Sequence, residues 1–158
     1  MDVTDIVDRT LDEMGVHPTV FRGRGGAGPR KFRALRDRIE GHASRDEVLV
    51  FVGKSYGGHW SVKLLWELSK RGTLERFRAV GLLTVDPAYA LHRLQHKVKE
   101  IPTIERARNV HQHGFRSGYR LGEPATNILV DSRHTDIETV KIVGDEVRGL
   151  LEWACAVG

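Results

Sequence analysis

The sequence predicts an α/β fold, a mostly parallel sheet with helices on both faces, and three observations predict it. The runs Val48 to Val52 and Val80 to Val85 are apolar without alternation, rich in β-branched residues, and closed by Gly53 or by Asp86-Pro87. Such runs suit strands covered on both faces. Around them stand segments whose apolar residues recur every three or four positions, the period of an amphipathic helix. Strands alternating with helices of this length need crossover connections, which are right-handed and leave the strands parallel.

In chain order, Asp2 to Met14 reads as a helix with Ile6, Val7 and Leu11 inward, and Thr19-Val20-Phe21-Arg22 as a weak strand. Pro29 to Gly41 is a second helix: Phe32, Leu35 and Ile39 share one face, Pro29 suits its first turn and Gly41 its C-cap. The charges from Arg30 to Arg38 read as its solvated side. After the strand at Val48 to Val52, Gly58 to Arg71 carries Trp60, Leu64, Leu65 and Leu68 on one stripe. Val80 to Val85 is the next strand. Residues 88–125 have no long period; they read as a short helix over Leu91 to Val98 and then an irregular excursion, a candidate lid. Asn127 to Val130 is a last short strand. From Thr135 a closing helix is predicted, with Ile137, Val140, Val143, Val147, Leu150 and Leu151 inward and Thr135-Asp136-Ile137-Glu138 as a capping box. Trp60, Trp66 and Trp153 fall at helical spacing and read as core residues.

The 158 residues suit one domain, 1–158, and with 40% hydrophobic and 29% charged residues the composition is too apolar for a disordered chain. The single cysteine, Cys155, cannot close an internal disulfide, so a reducing compartment, the cytoplasm, is expected. Asp2, Asp5, Asp8, Asp12 and Glu13 interrupt the opening residues, which argues against a signal segment or membrane anchor. The pI is near 9.5, yet the net charge is only +4 with acids interspersed among the bases, and no nucleic-acid partner is required. His92 and His96 share a helical face, and His111 and His113 flank Gln112. Neither pair has the third ligand that a metal site needs, and no metal is expected.

In an open parallel sheet, chemistry sits beyond the carboxyl ends of the strands. After Val48 to Val52 comes Gly53-Lys54-Ser55-Tyr56-Gly57, the Gly-x-Ser-x-Gly nucleophile elbow in its required setting of strand, sharp turn and helix. The serine of such a turn is strained, and side chains at positions 53 and 57 are expected to collide with neighbouring backbone. After Val80 to Val85 comes Asp86, and after Asn127 to Val130 come Asp131 and His134. Ser55, Asp86 and His134 thus follow strand ends in the order nucleophile, acid, base, with Asp131 as a rival acid.

This constellation resembles the α/β-hydrolase superfamily from about Thr19 to the C-terminus, in a reduced form. Val85-Asp86-Pro87-Ala88 resembles the lipase branch, whose acid follows the strand after the elbow. The resemblance implies hydrolysis of a carboxylic ester or thioester through an acyl-serine, with no metal or cofactor and a small-molecule acyl ester as substrate. His134 would be the general base and Asp86 would orient it. Oxyanion donors would be the Tyr56 N–H and a backbone N–H of Gly25 or Gly26, in the glycine-rich stretch Gly23 to Gly28. That stretch can equally be a plain turn or, with its flanking Arg and Lys residues, an anion site. A sheet of only four strands leaves an edge to be covered or paired, which admits a homodimer. The polar, basic stretch 88–125 favours a soluble or anionic ester over a long triglyceride.

Two further readings stand beside this one. Gly53-Lys54-Ser55 looks like the end of a P-loop, but the glycine that motif needs five residues earlier is Val48, inside a strand. A non-catalytic binding or structural module on a degenerate hydrolase scaffold is the main alternative, touching acidic partners through its basic surface.

Overall fold

The computed structural model describes residues 2–23, 29–87, 94–112 and 120–158. Its centre is a sheet of four parallel strands, β1 (Val48–Lys54), β2 (Ala79–Val85), β3 (Ile104–Gln112) and β4 (Thr126–Val130), paired in the order β1-β2-β3-β4. All seven residues of β2 are buried, as an unalternating apolar run requires.

Helices α2 (Pro29–His42) and α3 (Tyr56–Lys70) cover one face of the sheet, where Ile39, Val62, Leu65 and Leu68 meet Val80, Leu82 and Ala107. The connection between β2 and β3, with a 3-10 segment at Leu94–Glu100, packs Val98 and Ile101 into that same layer. Helices α1 (Val3–Met14) and α4 (Lys141–Val157) cover the opposite face, burying Ile6, Leu11, Val143, Val147 and Leu150 against Leu83, Val85 and Val110. α1 is closed at its start by a capping box between Asp2 and Asp5 and at its end by Gly15, left-handed at φ 66°. Gly81 lets α4 come close: a Cβ there would stand 2.6 Å from Trp153 Cζ3 and 2.9 Å from Leu150 Cδ1. Among the described residues, no helix is long and apolar enough to cross a membrane.

Four sequence-based expectations need correction. Thr19 to Arg22 forms no strand; it is extended coil, tied to α1 by a two-pronged Arg22–Asp8 ion pair at 2.8 Å. The missing strand is β3, inside the stretch read as an irregular excursion. Its charges hid it: Arg108 lies on the α4 side of the sheet, where it meets Glu146 in two hydrogen bonds of 2.7 and 2.8 Å. Of the rest of the candidate lid, residues 88–93 and 113–119 lie outside the described residues.

The closing helix begins at Lys141, not Thr135. Ile137–Thr139 is a 3-10 turn and Val140 is extended (φ −71°, ψ 126°), so Thr135-Asp136-Ile137-Glu138 caps no α-helix. The three tryptophans are half-buried and not interior residues, with Trp66 and Trp153 packed against the edges of the two core clusters. Trp66 carries Lys70 and Lys97 over its ring at 3.7 and 5.0 Å, since a long cationic side chain shields an indole while keeping its charge in water.

Candidate active site

Ser55 follows β1 directly. Its N–H donates to the Val85 carbonyl at 3.0 Å, so the β1–β2 ladder runs one residue past the strand before the chain turns into α3. The turn is made at Ser55 itself, at φ 52° and ψ −122°, a conformation that costs an L-residue roughly 1–3 kcal/mol. Serine is a favoured helix cap, yet this hydroxyl caps nothing, and α3 begins with no side-chain cap. The Tyr56 N–H, in the first turn, therefore has no acceptor within the helix, as an oxyanion donor requires. Gly25 and Gly26, the expected second donors, lie outside the described residues.

The glycines explain how the turn closes, and one expectation fails. A Cβ on Gly53 would lie 2.5 Å from the Gly57 carbonyl oxygen and 2.7 Å from the Gly58 nitrogen, so strand and helix meet there with no room for a side chain. At Gly57, where a collision was expected, nothing lies within 4 Å. The second tight position is Gly58, whose Cβ would stand 3.1 Å from the Gly53 oxygen and 3.2 Å from Pro87 Cβ. The helix turns residue 57 outward and residue 58 onto the end of β2.

Asp86 follows β2 as Ser55 follows β1, also at positive φ, 45°. It is fully buried, and its N–H donates to the Val110 carbonyl at 2.7 Å. Its Oδ2 accepts a 3.1 Å hydrogen bond from Gln112 Nε2 and is hydrogen-bonded to His134 Nδ1. With Asp86 as a carboxylate, which only accepts, Nδ1 is the donor of this hydrogen bond and Nε2 is the ring nitrogen it leaves unused. Asp86 Oδ1 is buried without a hydrogen bond among the described residues. The rival Asp131 is exposed and pairs with no described residue. His134 sits in the turn after β4, braced by the Asp136 N–H donating to the Arg133 carbonyl at 3.0 Å.

Sequence reasoning missed the polar residues behind this pair. Gln112 ends β3 and donates to Asp86 Oδ2. Below it Thr84, Asn109 and Asn127 stand abreast on β2, β3 and β4. Thr84 Oγ1 donates to Asn109 Oδ1 at 2.7 Å and Asn109 Nδ2 to Asn127 Oδ1 at 2.8 Å. The Leu121 N–H and carbonyl close the row on Asn127. Such a buried, satisfied row fixes strand register and so aligns the strand ends above it. The available signal was polar residues inside otherwise apolar strands.

His59, one turn into α3, donates its N–H to the Ser55 carbonyl at 3.2 Å. Its ring is buried, with Nε2 unpartnered among the described residues, and burial, helped by the Lys63 charge, pushes its pKa down to about 4. It is a neutral packing residue at ordinary pH. No cluster of three metal-ligating side chains occurs among the described residues; His92 and His113 lie outside them. Compared with known proteins, the chain matches no family model, no curated protein and no solved structure.

Proposed function

We propose that the protein is a serine hydrolase of the α/β-hydrolase type that cleaves a carboxylic ester, with Ser55 as nucleophile, His134 as base and Asp86 as orienting acid. The observation that carries this reading is the Asp86–His134 pair beside a strand end whose serine is held at positive φ and excused from capping. Neighbouring parallel strands lie about 4.8 Å apart, so residues just past adjacent ends share one small region. Asp86 at the end of β2, the strand after the elbow, agrees with the lipase-branch resemblance.

In the first half-reaction Ser55 Oγ attacks the ester carbonyl carbon while His134 Nε2 takes the hydroxyl proton. The developing oxyanion accepts from the Tyr56 N–H. The carbon–oxygen bond to the leaving group then breaks, and His134 returns the proton to the departing alcohol. In the second half-reaction a water molecule gives its proton to His134 and attacks the acyl-serine. That step releases the acid and restores the hydroxyl. Asp86 keeps the ring in the required tautomer and stabilises the imidazolium.

A fluorophosphonate probe tests the reading: folded wild type should gain one covalent adduct on Ser55 by intact mass and peptide mapping. Ser55→Ala should lower p-nitrophenyl acetate turnover by at least about 10⁴-fold. A folded wild type that takes up no probe overturns it.

A further inference from the structure

We propose that a ridge of aromatic rings and of cations without ion pairs, built from Arg30, Lys31 and Phe32 at the start of α2 and Trp60 and Lys63 on α3, the helix that Ser55 opens, selects esters that carry an anionic group, a carboxylate or a phosphate. The inference rests on the hydrolase reading and names its substrate class.

Position comes first. Tyr56, Trp60 and Lys63 occupy spacing i, i+4, i+7 on α3 and so form one stripe that starts at the residue after Ser55. Helical side chains lean toward the helix N-terminus, and the Lys63 Nζ lies over the ring of Trp60, three residues earlier, at 4.8 Å from its centroid. Phe32 of α2 meets this stripe, with its ring 5.1 Å from Trp60 and 5.3 Å from Lys63 Nζ. That contact brings the first turn of α2, with Arg30 and Lys31 exposed, alongside the first turns of α3.

Charge comes second. Several cations of the described surface are paired: Arg36 with Asp37, Arg71 with Glu40, Arg108 with Glu146, Lys141 with Asp145. Arg30, Lys31 and Lys63 have no ion pair among the described residues, and neither α2 nor α3 carries an acid in its first turn. Cations in a first helical turn oppose the helix dipole, so folding stability does not account for Arg30 and Lys31. A positive surface raises the local concentration of anionic substrate, and aromatic rings give its carbon skeleton a face to lie on.

The test uses the full chain and two p-nitrophenyl esters of matched length, the neutral butyrate and the anionic hemisuccinate, with p-nitrophenyl esters bearing a phosphate in the acyl chain as a second anionic arm. The ratio of kcat/KM for anionic over neutral ester should exceed one and decline as ionic strength rises through about 0.15 M, where the part of the attraction acting beyond about 8 Å is screened. Lys63→Gln should lower that ratio about fivefold, the effect of one unit-charge contact at about 4 Å in a water-like medium, and Arg30→Gln/Lys31→Gln should lower it further. A ratio at or below one in wild type, or one that the variants leave unchanged, overturns the proposal while the hydrolase reading stands. Salt-sensitive retention on heparin with no ester preference would assign the ridge to a polyanionic partner, and equally overturns it. If neither ester is turned over and the fluorophosphonate leaves no adduct, the hydrolase reading itself has failed and takes the proposal with it.

Discussion

Replacing Gly53 by alanine puts the elbow geometry to a quantitative test. The new Cβ would sit 2.5 Å from the Gly57 oxygen, 2.6 Å from its carbonyl carbon and 2.7 Å from the Gly58 nitrogen. All three distances fall well inside the roughly 3.5 Å of an ordinary carbon contact. The obstructing atoms are all backbone, so no side chain can swing aside; strand end and first helical turn must separate by close to 1 Å. Overpacking of this kind costs about 1–3 kcal/mol, and the upper end applies because the displaced atoms belong to a hydrogen-bonded helix. Gly57→Ala is the control, since nothing lies within 4 Å of its Cβ and alanine in a helix gains about 0.5–1 kcal/mol over glycine. The two variants should therefore differ by about 3–4 kcal/mol in urea unfolding followed by far-ultraviolet circular dichroism, with m-values alike. Total stabilities of domains run to about 5–15 kcal/mol, so the gap is easily measured. Gly53→Ala within about 0.5 kcal/mol of wild type, or Gly57→Ala the less stable of the two, would refute the packing argument.

A graded series tests the acid: Asp86→Asn should cost ester turnover about 10⁴-fold, Gln112→Leu about tenfold through one lost hydrogen bond to a charged group, and Asp131→Asn almost nothing. Were Asp131→Asn the most damaging of the three, the acid assignment would be wrong. His59 has a folded pKa of about 4 against about 6.5 unfolded, so below pH 6.5 the unfolded chain binds the extra proton. Its contribution is complete above that pH and is lost as pH falls toward 4, by up to about 3 kcal/mol. The stability difference between wild type and His59→Leu should move in the variant's favour over that window; a pH-independent difference counts against a buried, neutral His59.

Much of the fold could be read because its strongest signals are local. Val80 to Val85 is apolar on both faces because helices lie on both, and Ile6, Leu11, Val143 and Val147 mark the inward sides of α1 and α4. β3 escaped because its evidence is tertiary: Arg108 is acceptable in a strand only once Glu146 arrives from α4. The helix start at Lys141 escaped for a related reason, since the extended Val140 satisfies the route of the chain around His134 and not a local cap preference. In the site, glycine and serine at the elbow and the acid at the end of β2 were visible from position alone. The resemblance to the lipase branch sets Asp86 ahead of Asp131, although Asp131 is the nearer of the two to His134 in sequence; in space it is Asp86 that is hydrogen-bonded to His134. Gln112 and the row through Asn109 had no motif to announce them.

The arrangement of layers bears on how the chain reaches its folded state. Every described connection between successive strands packs on the α2–α3 side, while the other side is closed by α1 and α4, which come from opposite ends of the sequence. During synthesis, Leu83, Val85 and Val110 therefore stay open to solvent until Lys141–Val157 has left the ribosome and found α1. A half-covered parallel sheet is the kind of intermediate that associates with its own copies. Expression yield should accordingly be most sensitive to changes in α4, far along the chain from the residues assigned to chemistry.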